Sequence, residues 1–307
     1  MNQEITVERP ASIFSGIGAL FISFLLLQVG NGLQRILLPL RAESEGISAG
    51  MMGLVMAFHF AGYLFGARFI IGAINTVGHI RVFAALASTA SIAVLINAVF
   101  VVPASWMVVY FISGICNAGI FVVLESWLNA KASNEVRGKV LGTYMMIMMG
   151  GTAAGFLLIN LGDASGFRMF IFSSVLISSA VIPVALTSTS APPLQEEERM
   201  KIGELFNIIP AAVVGLFLAS FVQASTSSMS TVFGTEAGMS TGKVALFTAV
   251  GFVGAVVLQF PLGALSDSFP RRSVIKGATL IAGLLALLGA LTPTAGSWII
   301  VVHLCFG

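Results

Sequence analysis

Nine apolar runs, each about 20 residues or longer, follow one another along this chain, and that length matches the hydrocarbon core of a bilayer. They fall at roughly 13–38, 49–73, 82–102, 106–128, 138–160, 168–188, 207–232, 243–265 and 273–293, and a tenth begins near Ser297 and stops at Gly307. Only 9% of the 307 residues are charged and 57% are hydrophobic, whereas a soluble globule carries about 25% charged residues. Such a chain has too little polar surface to cover itself, so lipid is its solvent. The expected class is an all-α membrane protein with about nine and a half spans, read as truncated inside the last one. Residues 1–10 carry Glu4, Glu8 and Arg9 ahead of an apolar run too long for a signal core, so the first run is read as a retained span.

Several kinds of chemistry find no footing. Cys116 and Cys305 lie inside apolar runs and read as small core hydrophobes. His59, His79 and His303 are scattered without metal-ligand spacing. No phosphate loop, zinc motif or nucleophile elbow is present, and no basic cluster with interleaved aromatics suggests nucleic acid. A membrane enzyme would need clustered His, Asp or Glu at membrane depth, which the sequence lacks. No cofactor and no metal are expected.

Lysine and arginine placement sets the orientation. With the N-terminus in the cytoplasm, Arg9, Arg68, Arg81, Lys131, Arg137, Lys139, Arg199, Lys201, Arg271, Arg272 and Lys276 fall on the inner side. Arg35, Arg41, Arg168 and Lys243 fall outside, eleven against four. The one long polar stretch, Ser188–Glu204 with Pro192, Pro193 and three consecutive glutamates, lies between the sixth and seventh spans. It divides the chain into a bundle at 1–188, a cytoplasmic linker at 189–206 and a partial bundle at 207–307. Arg199–Phe206 reads either as a short amphipathic surface helix or as a solvated connector.

Two similar loops mark a repeat. One runs from Gly263 through Leu265, Asp267 and Pro270 to Arg271 and Arg272; the other runs from Ile71 through Asn75 and Gly78 to Arg81, 192 residues upstream. The same offset sets Gly62 on Gly254 and Asn75 on Asp267. Two copies of a six-span unit in the same orientation are a transporter architecture.

On these residues the chain resembles the major facilitator superfamily, whose signature loop is similar to Gly-x-Leu-x-Asp-x-x-Gly-Arg-Arg. Gly263, Leu265, Asp267, Arg271 and Arg272 match it, with Pro270 for the second glycine, and the earlier copy keeps Gly78 and Arg81. Glu125-Ser126-Trp127 and the stretch Arg137–Met146 resemble the YcaD-like group of bacterial members. The resemblance implies two six-helix bundles, the second incomplete here, alternating access, and a mostly monomeric protein in a bacterial inner membrane. Two departures stand out. Tyr110 occupies the fourth-span position where many members carry arginine, and Phe156 occupies the proline position of the drug-antiporter signature, which weakens a drug-export reading.

The expected function is a secondary active transporter of a small solute, with a non-transporting sensor or inactive fragment as the alternative. His59 near the middle of its span, Asn31 and Arg35 on one face of the first span, and Asn117 in the fourth are the candidate substrate-binding residues. His59 also makes protons a candidate co-substrate. The few intramembrane charges favour a neutral or moderately apolar solute, with Arg35 leaving an organic anion open. Asp267, Arg271, Arg272, Asn75, Gly78, Arg81 and Glu125 are the candidate gating residues. By the family's pseudo-symmetry Asp267 should face the start of span five near Gly138, and Glu125 is expected to pair with Arg81 or Arg68. Alternatively, the loops simply mark the cytoplasmic side and Glu125 reaches interfacial water.

Overall fold

The computed structural model describes residues 10–132, 136–164, 166–187, 202–291 and 303. The linker before Ile202 and the tenth span, His303 apart, lie outside them. Among the described residues the elements are α1 (Pro10–Ser44), α2 (Ala49–Val77), α3 (His79–Val99), α4 (Pro103–Lys131), α5 (Arg137–Leu157) with a 3₁₀ turn at Leu158–Leu161, α6 (Phe167–Ser179), α7 (Val181–Ala185), α8 (Ile202–Ile208), α9 (Pro210–Glu236), α10 (Thr241–Ser268) and α11 (Arg271–Leu291). Nine candidate spans result, α6 and α7 forming one of them, in the order the apolar runs predict.

Local chemistry explains the edges. Pro103 and Pro210 open α4 and α9, where a missing N–H costs nothing. Ser48 caps α2 by accepting from the Met51 amide at 3.4 Å. The sixth span breaks at Ala180 because Pro183, three residues on, has no N–H for the Ser179 carbonyl and its ring crowds that group. We call the face bearing the start of α1 and the α2–α3 and α10–α11 turns proximal, and the opposite face distal.

α1 to α7 pack as one group, with α2 on α4, α1 on α5 and α6, and α3 on α4 and α6. The α2–α4 contact is backbone on backbone. A Cβ on Gly62 would collide with the Phe111 carbonyl, and one on Gly114 with the His59 carbonyl, so only glycine lets the helices meet there. Hydroxyls reinforce the packing: Ser173 donates to the Gly30 carbonyl at 2.8 Å, and Ser91 lies 2.7 Å from Ser174 and 2.6 Å from Ser178.

The later helices meet this group at one face only. α10 packs on α5, and α9 touches α1 and α2. Residues 230–235 of α9 are largely buried, while 211–223 are almost wholly exposed; α10 shows the same change between 244–254 and 259–268. Two separate apolar cores result. The distal one joins Leu37, Trp106 and Phe156 to Val232, Val244 and Ala249 from α9 and α10. The proximal one, with Phe24, Phe83, Trp127 and Tyr144, draws only on α1 to α7. The two sets of helices are sealed together distally and stand apart proximally.

The 192-residue offset recurs in the backbone. It carries α2 onto α10 and α3 onto α11 within a residue at each end, and α1 onto α8 plus α9. Gly46 and Gly238, one offset apart, both have φ of 71°. Their following serines match too, with φ/ψ of −64°/151° at Ser48 and −63°/154° at Ser240. Each glycine sits where a side chain would strain the left-handed turn.

Candidate functional site

Polar side chains on α1, α2 and α4 converge within the apolar mass. Asn31 Nδ2 donates to Asn117 Oδ1 at 3.0 Å with both residues buried, so the structure joins two of the four candidate substrate-binding residues directly. One turn along α1 lies Arg35, mostly buried and within electrostatic range of Tyr110, Tyr63 and His59. The His59 ring packs 5.8 Å from that of Tyr110. All four candidates therefore belong to one constellation. Arg35 forms no ion pair or hydrogen bond among the described residues.

The same region holds polar atoms with no partner: Gln34 Nε2, His59 Nδ1, the Tyr110 hydroxyl and the Ser113 hydroxyl are buried and unbonded. Ser113 on α4 and Arg35 on α1 each lie four residues distal to the Asn31–Asn117 bond, about 6 Å along either helix. His59 stands at that level because its carbonyl abuts Gly114. Just beyond, Pro39, Ala42 and Met52 share a crevice with Val232 and Thr235, so the cluster lies directly beneath the distal seal. A neighbouring bond ties α1 to α5, Gln28 Nε2 donating to the Met148 carbonyl at 3.2 Å and lying 3.3 Å from the Thr152 hydroxyl.

Tyr63 and Ser113 join this cluster without being among the residues expected to bind solute. Tyr110, which stands where many family members carry arginine, joins it too. A signal existed: Tyr110, Ser113 and Asn117 recur at i, i+3 and i+7 on α4, as Gln28, Asn31 and Arg35 do on α1.

The proximal candidates are dispersed. Asn75, Arg81, Asp267, Arg271 and Arg272 are all exposed at helix ends, and among the described residues Asp267 forms no ion pair. Gly78 forms the whole α2–α3 turn at φ 87°, its amide donating to the Ile74 carbonyl at 2.8 Å. The pairing expected of Glu125 is not the one found. No ion pair joins it to Arg81 or Arg68; its Oε1 accepts from the Tyr144 hydroxyl at 3.0 Å, and the Tyr144 ring stacks on Phe24 with centroids 4.8 Å apart. Helix rotation is the reason. Gly119 and Trp127 face α2 and α3, meeting Leu86, Ile70 and His79, and at 3.6 residues per turn Glu125 points roughly the opposite way. Among the described residues no three His, Cys, Asp or Glu side chains gather as metal ligands.

A bilayer-length helical array with repeated halves, joined at one face around a buried polar cluster, defines a multi-span membrane protein of the major facilitator fold. The chain belongs to the major facilitator superfamily, whose profile matches residues 20–307. It is similar to the uncharacterized MFS-type transporter YcaD of Escherichia fergusonii, 25% identical over 278 residues covering 90% of this chain and 72% of that protein. It is likewise similar to the uncharacterized MFS-type transporter Ent638_1421 of Enterobacter sp. (strain 638), 26% identical over 289 residues covering 92% and 74%. Among solved structures, the nucleoside transporter NupG superposes with a TM-score of 0.72 at 13% identity, covering 94% of this chain and 78% of that one. A bacterial homolog of the human lysosomal transporter Spinster, inward-facing and unoccupied, gives 0.72 at 17% identity over 97% and 74%. A D-xylose-proton symporter gives 0.69 at 15% identity over 94% and 78%. The protein is a multi-pass membrane transporter of this family.

Proposed function

We propose that this protein is a secondary active transporter that carries a small solute by alternating access. One observation carries the reading: a buried polar cluster lies directly beneath a seal that closes one face while the other face stands open. Binding at such a point, with few polar groups among apolar walls, suits a solute site. The moving units are residues 1–188 and the part from 207 onward, joined by the linker at 189–206. Asn31, Arg35, His59 and Asn117 are the substrate-binding residues, and His59 is the group assigned to a coupled proton. Lysine and arginine placement supports a cytoplasmic N-terminus in a bacterial inner membrane, which makes this the inward-open state.

In that reading Asp267 and Asn75 act when the proximal face closes. A carboxylate at the end of α10 brought against the free amides at the start of α5 gains hydrogen bonds and a favourable dipole. Arg81, Arg271 and Arg272 hold the loops at the headgroup level, Gly78 supplies the turn, and Glu125 holds α5 through Tyr144.

The test is solute flux into proteoliposomes, with and without an imposed pH gradient, over a panel of nucleosides, sugars, amino acids and organic acids. Saturable uptake abolished by His59→Ala or Asn117→Ala is the expected result. Correctly inserted protein that moves no solute in the panel would overturn the transport reading.

A further inference from the structure

We propose that the solute is a small organic anion whose carboxylate docks on Arg35, with Gln34, Tyr110 and Ser113 as accompanying donors; this rests on the transport reading and names the substrate class of the same site. An arginine at membrane depth is expensive and calls for a partner. Among the described residues no acid serves Arg35. Of the described acids, Asp163 and Glu204 lie outside the long helices, as does Glu45, which already pairs with Arg41 at 2.8 Å. Glu43, Glu236 and Asp267 occupy terminal helix turns, and Glu43 is eight residues beyond Arg35, about 12 Å along α1. Glu125 accepts from Tyr144 and lies about 18 Å away along the helix axes, counted through the Asn31–Asn117 bond. The described residues leave this charge unanswered, and a bound anion would answer it.

The neighbours point the same way. The amide nitrogen of Gln34 and the hydroxyls of Tyr110 and Ser113 can donate, and each is buried at 6%, 4% and 4% exposure without an acceptor. Unmet buried donors are costly, and donors at the level of a guanidinium are met by a carboxylate's two oxygens. Arg35 keeps part of its surface accessible, as a docking group needs. A neutral solute would leave the charge unanswered. A second anion of the lipid headgroup kind is disfavoured because the cluster lies within the span of α1, two turns from its distal end.

The full-length protein in detergent tests this through thermal shift and equilibrium binding with matched pairs: acetate and acetamide, benzoate and benzamide, octanoate and octanamide. At least one carboxylate is expected to bind about tenfold or more tightly than its amide. Arg35→Gln should erase that preference and Arg35→Lys should keep a weaker one, a point charge replacing a two-pronged donor. Ligand-free melting of each variant, together with Tyr110→Phe, separates lost binding from lost folding. No preference in any pair, or a preference that survives Arg35→Gln in folded protein, overturns the proposal. Tracer flux divides the two readings. Arg35-dependent carboxylate binding without flux keeps the anion site and ends the transport reading. Saturable flux of an amide, indifferent to Arg35→Gln, does the reverse.

Discussion

Asn31 and Asn117 answer one another across α1 and α4, and such bonds between membrane helices contribute about 0.6 kcal/mol on average. A double-mutant cycle on Asn31→Ala and Asn117→Ala, read by thermal unfolding, should return coupling of about that size, and zero coupling would show that the pair does not form. The same method discriminates the partners of Glu125: coupling with Tyr144→Phe is expected, and none with Arg81→Gln. Polar side chains at depth were visible in the sequence, since each stands out in an apolar run. Which of them face one another was not, because these spans are apolar nearly all round and no stripe reveals the buried side. Glu125 shows the consequence. Its depth was readable, but its rotation toward Tyr144 depended on how Gly119 and Trp127 seat α4 against its neighbours.

The elements themselves were largely written in the chain. Apolar length gave nine spans, and the 192-residue offset gave helices whose ends coincide within a residue for two of the three pairs. The first span runs on to Ser44, six residues past its apolar run, because Arg41 and Glu45 support the last turn through an i,i+4 ion pair. Hydropathy has no sight of that turn, nor of the break before Pro183. The duplicated turns make a quantitative prediction. Neither Gly46 nor Gly238 has an atom within 4 Å of an added Cβ, so alanine at either meets only backbone strain of about 1–2 kcal/mol. Thermal unfolding of the two variants should show equal losses; unequal losses would mean the turns are not mechanical equivalents. At Gly114 the obstacle is the His59 carbonyl instead. Gly114→Ala should therefore cost about 1–3 kcal/mol through overpacking, seen as a lower melting temperature and poorer recovery of folded protein.

At the scale of the molecule the distal seal and the proximal gap are two views of one arrangement. A Cβ on Gly242 would lie 3.0 Å from Asn160 Oδ1. In a variant without Cys116 and Cys305, cysteines at 160 and 242 should be joined by a short thiol crosslinker, locking the distal face and stopping flux. Cysteines at Gly138 and Asp267 should link only when the proximal face closes, so a transported solute should raise their yield. Equal yields with and without solute would leave no exchange of states for alternating access to use. The glycine contact between α2 and α4 bears on how such an exchange is watched. Two rods touching main chain to main chain cannot slip past each other without breaking register, so they travel as a single strut. A spin label at Leu64, exposed on α2, would therefore report the tilt of α4 as faithfully as its own, and one probe suffices to time the swing of the whole arm.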